Sequence, residues 1–397
     1  LRVLVRSRMR RKFAHPKHIA KIERRLIKRR HRRRGSINRN RSFPEQPSES
    51  VLLSALYPQR ERNWIGGRHR AVGPRVTARM FSFIDNPIQT VRTLQKIAHF
   101  ESCYRSVFLD FEDELITDLA PYIILSLISR DMCPFIDGGK ISEPAGKVIE
   151  AVGLRDELRM KKFIRKEQFP NIWPIKLRHR RPTGTSKADH QFDSPTTKEK
   201  ESDRIVDEID SWLEQAKPPQ MLTQEGKMNI YGIIGEVLDN AESHGHISGD
   251  GEWSVGGFAA KRRHDDHDIL VGHLCFVNLG RSIAESISDR SSAQVSQLWS
   301  FLRAYKSWFG ISDNEMETFS TLFAVQDGNS RRKLEKGSLG GVGLLDVAEF
   351  VQALGELDDD AHGAQVCIIS GGVCIRLAPP YASGIDVAPG RRAQYFN

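Results

Sequence analysis

The run Gly235-Glu236-Val237-Leu238-Asp239-Asn240-Ala241-Glu242-Ser243-His244-Gly245 carries the strongest chemical pattern in the chain. On a helix, Glu236, Asn240 and His244 recur every four residues and share one face. The apolar Ile230, Ile233, Ile234, Val237, Leu238 and Ala241 take the adjacent face, which would be buried. A carboxylate beside an amide oxygen can orient a water and help hold Mg2+, a cation that takes hard oxygen ligands and keeps several waters. Further on, Leu274-Cys275-Phe276-Val277-Asn278-Leu279-Gly280-Arg281-Ser282-Ile283 reads as a buried strand ending in a polar residue and a glycine. Later still, Glu335-Lys336-Gly337-Ser338-Leu339-Gly340-Gly341-Val342-Gly343-Leu344 puts a Gly-rich turn ahead of a helix. Exposed N–H groups and the positive helix end make such a turn an anion site. Lys336, Arg331 and Arg332 could neutralise phosphate charge there. The turn is not a P-loop, since no Gly-Lys-Ser/Thr follows, nor a dinucleotide-binding turn, since no buried strand precedes it.

These residues need elements to position them. Apolar periodicity predicts one helix through Ile205, Ile209 and Leu213 and a longer one over 226–243. Strands are expected at 253–260 and 269–278, joined by a polar turn. A mostly helical insert over 283–324, a helix at 342–354 and a hairpin of 365–370 with 373–377 around Gly371-Gly372 complete a unit spanning 203–380. An earlier unit spans 75–165. It alternates strands at 77–83, 106–111 and 133–136 with helices that begin near Asn86-Pro87, at Asp118 and at Ala145. That alternation implies parallel strands with crossover helices. Residues 179–202 are polar and read as a linker, 1–54 as a basic arm and 381–397 as a tail.

In order and spacing, the three motifs resemble the gyrase, chaperone, histidine-kinase and mismatch-repair ATPases (the GHKL, or Bergerat-fold, superfamily). Glu236 and Asn240 match the family's E-x-x-x-N box. Asn278-Leu279-Gly280-Arg281-Ser282 stands where the family has D-x-G-x-G, Gly337 to Gly343 match its second glycine box, and Ser370-Gly371-Gly372 match the hairpin that follows. The resemblance implies an α+β Bergerat sandwich, with helices on a mixed sheet, that binds ATP and Mg2+. It implies Asn240 on the metal, Glu236 as general base and Asn278 with Gly280 at the adenine. It implies His244 supporting the pocket, and Lys336, Gly337, Gly340, Gly341 and Gly343 over the phosphates. Two departures stand out: Asn278 replaces the family's adenine-reading Asp, and Ser282, after the bulky Arg281, replaces a glycine. The earlier unit resembles a STAS domain, a small α/β fold. Phe108-Leu109-Asp110-Phe111 and the run from Ile116 to Pro121 carry that likeness, and Ala120 stands where that family has a phosphorylatable Ser.

Composition bounds the partners. The 397 residues carry a formal charge of +10, but 18 Lys and Arg against one Glu lie within residues 1–42. The arm is therefore +17 and the remaining 355 residues are −7. Counterion release would give the arm salt-dependent affinity for DNA or RNA. Phe13 is the one aromatic of residues 1–42, which argues against single-strand base reading. No run approaches the ~18 consecutive apolar residues of a membrane span, and no secretory h-region is visible, so a cytoplasmic protein is expected. Five cysteines without a C-x-x-C read as reduced thiols. Cys367 and Cys374 could face each other across the last hairpin, and His264 with His267 belong to a solvated turn. The leading expectation is an ATP-binding regulatory protein that switches a protein partner or a nucleic-acid-associated complex, with a second copy of the chain as one form of assembly. The alternatives are an anti-sigma-type protein Ser/Thr kinase using Glu236 as base, and a non-catalytic component of a defence or mobile-element complex.

Overall fold

The computed structural model describes residues 50–62, 71–103, 105–131, 136–158, 160, 171–180, 197–216, 219–244, 252–264, 267–288, 296, 299–304, 306, 310, 312–325, 347 and 365–377. The chain is a mixed α/β protein with several small sheets. The first is parallel, in the order β1 (Ala71–Ala78), β2 (Arg105–Phe111), β3 (Ile136–Lys140). Parallel neighbours need crossovers, and helices supply them: α2 (Pro87–Ser102) joins β1 to β2, and α3 (Ala120–Asp131) joins β2 to β3. A short helix, α1 (Val51–Leu56), precedes them. Its Leu53 is fully buried, so the last residues of the expected arm belong to the fold.

Local chemistry starts these helices where the sequence suggests. Pro87 opens α2 in the first turn, where a missing N–H costs nothing. Thr90 ties that turn to the strand end, with Ser82 N donating to Thr90 Oγ1 at 3.1 Å and the hydroxyl donating to Ser82 O at 2.9 Å. Asp118 stands before α3, accepting from Ala120 N at 2.8 Å and from Phe83 N at 2.7 Å. Its burial pushes the carboxyl pKa up, opposed by those backbone N–H bonds. Ser142 caps α4 (Glu143–Val152), which ends at Gly153 in the left-handed conformation (φ 93°) before the single turn α5 (Leu154–Glu157). Among the described residues the third strand runs Ile136–Lys140, and the rest of the expected strand at 133–136, with Cys133 and Pro134, lies outside them. Ile136–Lys140 reads Ile-Asp-Gly-Gly-Lys and has no apolar alternation to announce it. It pairs because Gly139 lets its backbone close on Leu109 of β2.

The second sheet is antiparallel, in the order β4 (Ile172–Arg180), β5 (Glu252–His264), β6 (His267–Leu279). One face carries Ile175, Trp253, Val255 and Ala259. These bury against Ile205, Val206 and Trp212 of α6 (Lys198–Leu213) and Ile230, Ile234, Leu238 and Ala241 of α7 (Gln224–His244). Full burial of a side chain such as Leu238 contributes about 1.5–3 kcal/mol. The opposite face carries Phe258 and Ala260, with Cys275, Val277 and Leu279 partly buried beside them. These residues belong to the same apolar cluster as the parallel unit, and α3 and α4 supply the contacts. Both faces of β5 are therefore covered, which explains the nearly continuous apolar and small run Trp253 to Ala260.

β4 was not evident from the sequence. It runs into the first two residues of the expected linker, and α6 takes the last ones. Residues 181–196 of that linker lie outside the described residues. A register shift between Ile175 and Arg178 changes which alternate residues face which side. Trp173 and Ile175 pack with the α6–α7 layer, whereas Leu177 lies with the parallel unit's core.

The last hairpin, β7 (Val366–Ser370) with β8 (Val373–Leu377), forms a two-stranded sheet. Val373, Ile375 and Leu377 bury their alternate side chains with Leu322 of α9 (Asp313–Val325). Gly371 (φ 58°) takes the first central turn position, where a left-handed residue suits a two-residue loop.

Candidate functional site

The residues singled out on α7 meet as the spacing requires. Asn240 Nδ2 donates to Glu236 Oε1 at 3.2 Å. Both side chains are half-buried. The buried stripe Ile230, Ile234, Leu238, Ala241 points α7 at the sheet, so the pair projects away from that stripe. The bond uses the amide N–H2, so Oδ1 of Asn240 is the atom that would face a cation. The other acidic residues of the run have structural partners. Asp239 pairs with Lys198 of α6. Glu242 pairs with Arg180 of β4 and accepts from Trp253 Nε1 at 3.0 Å. These bonds tie the C-terminal half of α7 to α6, β4 and β5 and orient the Glu236–Asn240 face.

Asn278 stands near the end of β6, exposed, in register with Trp253. Directly opposite residues of an antiparallel pair share a face, and Trp253 belongs to the α6–α7 side. Asn278 is thus carried on the same side of the sheet as α7. Gly280 follows it, exposed. Ser282 has a local task. Its hydroxyl accepts from Glu285 N at 3.2 Å while Glu285 Oε2 accepts from Ser282 N at 2.7 Å, a reciprocal cap that starts α8 (Ile283–Ser288). Ser282 is therefore a helix cap. Ile283 N then donates to Ser370 Oγ at 2.7 Å, and Gly372 N donates to both oxygens of Glu317 at 3.2 Å. The segment after Asn278 and the turn Ser370-Gly371-Gly372, two motifs far apart in sequence, are hydrogen-bonded together. His244 ends α7, but its side chain lies outside the described residues, as do Lys336, Gly337, Gly340, Gly341 and Gly343.

Among the described residues no group of three or more His, Cys, Asp or Glu side chains converges as a metal site. Glu236 and Asn240 still suit a Mg2+ that brings waters and phosphate oxygens with it, since Mg2+ commonly takes only one or two ligands from protein.

Sequence reasoning missed a second polar cluster, because it depends on β4. His179 Nδ1 lies 2.7 Å from Ser254 Oγ, and its Nε2 lies 2.8 Å from Glu157 Oε1. The three side chains come from β4, β5 and α5, and the His179 side chain is 2% exposed. A cavity of about 10 Å3 adjoins them, lined also by Leu127, Arg130, Trp253 and Val277. That is about the space of one water. A Ser-His-Glu order invites comparison with an acyl-transfer relay, but no substrate fits, so the cluster fastens the parallel unit to the second sheet. Trp173, Ile175, Leu177 and His179 recur at alternate positions, which was the available signal for a strand but, across the register shift, not for the face each takes.

Other buried polar groups lie on that same face. Arg262 Nη2 donates to Ile116 O at 2.6 Å. His273 packs on Phe258 with ring centroids 4.9 Å apart. Burial, helped by the Arg262 charge and opposed by Asp85, pulls the His273 pKa down to about 4. No helix among the described residues is long and apolar enough to cross a membrane. Comparison with known proteins finds no matching family model, no matching curated protein and no matching solved structure.

Proposed function

We propose that the chain is an ATP-binding regulatory protein whose second unit works as a Bergerat-type nucleotide module. The observation that carries this reading is the hydrogen-bonded Glu236–Asn240 pair on a helix packed over the sheet that ends in Asn278 and Gly280. The bond from Ile283 to Ser370 supports it, since it joins the segment after Asn278 to the hairpin turn that the resemblance also covers. Asn240 Oδ1 would take one position on Mg2+, which supplies charge neutralisation at the phosphates when bound. Glu236, held by the Asn240 amide, would orient the attacking water or hydroxyl as its base. The Asn278 amide oxygen can accept from an adenine amino group. Nucleotide binding would alter how the protein engages its partner.

The test is titration of the full chain with ATP and Mg2+, wild type against Asn240→Ala and Glu236→Gln. Loss of a charge-assisted contact predicts roughly 10- to 100-fold weaker binding for Asn240→Ala. Glu236→Gln should bind and lose turnover or phosphate transfer. Absence of ATP binding by the wild type would overturn the proposal.

A further inference from the structure

Cys367 and Cys374 lie on one face of the last hairpin with their sulfurs 3.7 Å apart. The opposite face, with Val373, Ile375 and Leu377, is buried against α9, so the thiol pair is on the outer side. Cys374 is exposed and Cys367 half-buried. Each faces another residue across the ladder: Cys367 is opposite Arg376, and Cys374 is opposite Ile369. The thiols are therefore diagonal neighbours.

We propose that Cys367 and Cys374 form a reversible two-thiol oxidation site for small hydroperoxides. Exposure makes Cys374 the attacking residue. As its thiolate it attacks one peroxide oxygen, the O–O bond breaks, and the leaving hydroxide takes up a proton as water, which leaves a sulfenic acid on Cys374. Cys367 sulfur then attacks the Cys374 sulfur. The S–S bond forms, the S–O bond breaks, and the departing hydroxide leaves as water with the Cys367 proton. Two thiols lose two electrons in all, and one hydrogen peroxide becomes two waters. Burial, and next the charge of Cys374, push the Cys367 thiol up to about 12. Cys367 is thus a poor first nucleophile, and oxidation of Cys374 removes the neighbouring charge that opposes its ionisation. Cys275 is no competitor, because burial pushes its thiol well up and shields it from peroxide.

A disulfide needs its sulfurs at about 2.05 Å, so rotation of the two side chains must close roughly 1.7 Å between them.

The experiment treats the full chain with stoichiometric hydrogen peroxide, alkylates remaining thiols and maps the peptides by mass spectrometry. The wild type should lose two hydrogens in the peptide covering 365–377, escape alkylation there, and recover both thiols with dithiothreitol. Cys367→Ser should accumulate a sulfenic acid on Cys374 that dimedone traps. Cys374→Ser should leave Cys367 reduced. Retention of both thiols in the wild type, pairing between two chains, or oxidation of Cys367 in Cys374→Ser would each overturn the proposal. The readout involves no nucleotide, so its result stands apart from the ATP reading.

Discussion

Replacing His273 by glutamine should flatten the acid side of the stability curve. His273 Nε2 is buried without a hydrogen-bond partner among the described residues, its ring stacks on Phe258, and its pKa falls from an ordinary 6.5 to about 4. Between those values the unfolded chain binds a proton that the folded chain refuses. Stability is therefore fully present above the unfolded value and is lost as pH falls toward the folded one. The full difference is about 3.4 kcal/mol, and about 2 kcal/mol of it is lost between about pH 7.5 and about pH 5. Asp118 works in the opposite sense, since its raised pKa costs stability as pH rises past the ordinary 3.8, but it is present in both proteins and cancels in their difference. Glutamine stays neutral throughout. Its loss of packing on Phe258 lowers stability equally at both pH values. The assay is urea unfolding of wild type and variant at the two pH values, with linear extrapolation to water. Wild type should lose about 2 kcal/mol more than His273→Gln on acidification. Parallel losses would show that His273 ionises freely in the folded protein and would refute the reasoning.

Other substitutions test the frame. Arg60 donates through Nε and Nη2 to Glu101 at 2.7 and 2.8 Å, with the two side chains only 1% and 5% exposed. Glu101→Ala removes the bidentate partner of a buried guanidinium and should cost about 3–5 kcal/mol in a denaturant titration. A Cβ on Gly139 would fall 1.5 Å from Leu109 O, so Gly139→Ala should detach β3 and cost roughly 3 kcal/mol or more, visible as faster amide exchange in β2. Deletion of residues 1–42 removes a net +17 and should abolish any steep salt dependence in nucleic-acid binding, and binding unchanged by the deletion would exclude the arm as its source.

Much of the architecture is legible locally. The four-residue spacing on α7, the alternation of β8 around Gly371-Gly372 and the Asn86-Pro87 helix start each encode structure within a few residues, because helix and strand periods repeat over that distance. Asn240 meets Glu236 for the same reason. Other features are invisible at that range. β3 is Gly-Gly at its centre and becomes a strand only because β2 accepts it at close approach. β4 switches faces at its register shift, so its side chains divide between two cores that no single alternation describes. Ser282 looks like a damaged glycine box until Glu285 is seen to complete its cap.

By itself, then, the sequence determined most of the helices, the strands β2, β5, β6, β7 and β8, and that Glu236 and Asn240 share a face, while the first strand lies at Ala71–Ala78, earlier than the expected 77–83, and β4 was not foreseen. Tertiary structure decided what those segments press against. It placed the parallel unit's core on the back of the second sheet through Phe258 and Ala260. It committed Asp239 and Glu242 to ion pairs with Lys198 and Arg180. Periodicity is carried by neighbours in the chain, whereas burial and pairing depend on residues tens to more than a hundred positions away, whose arrival only the folded core selects.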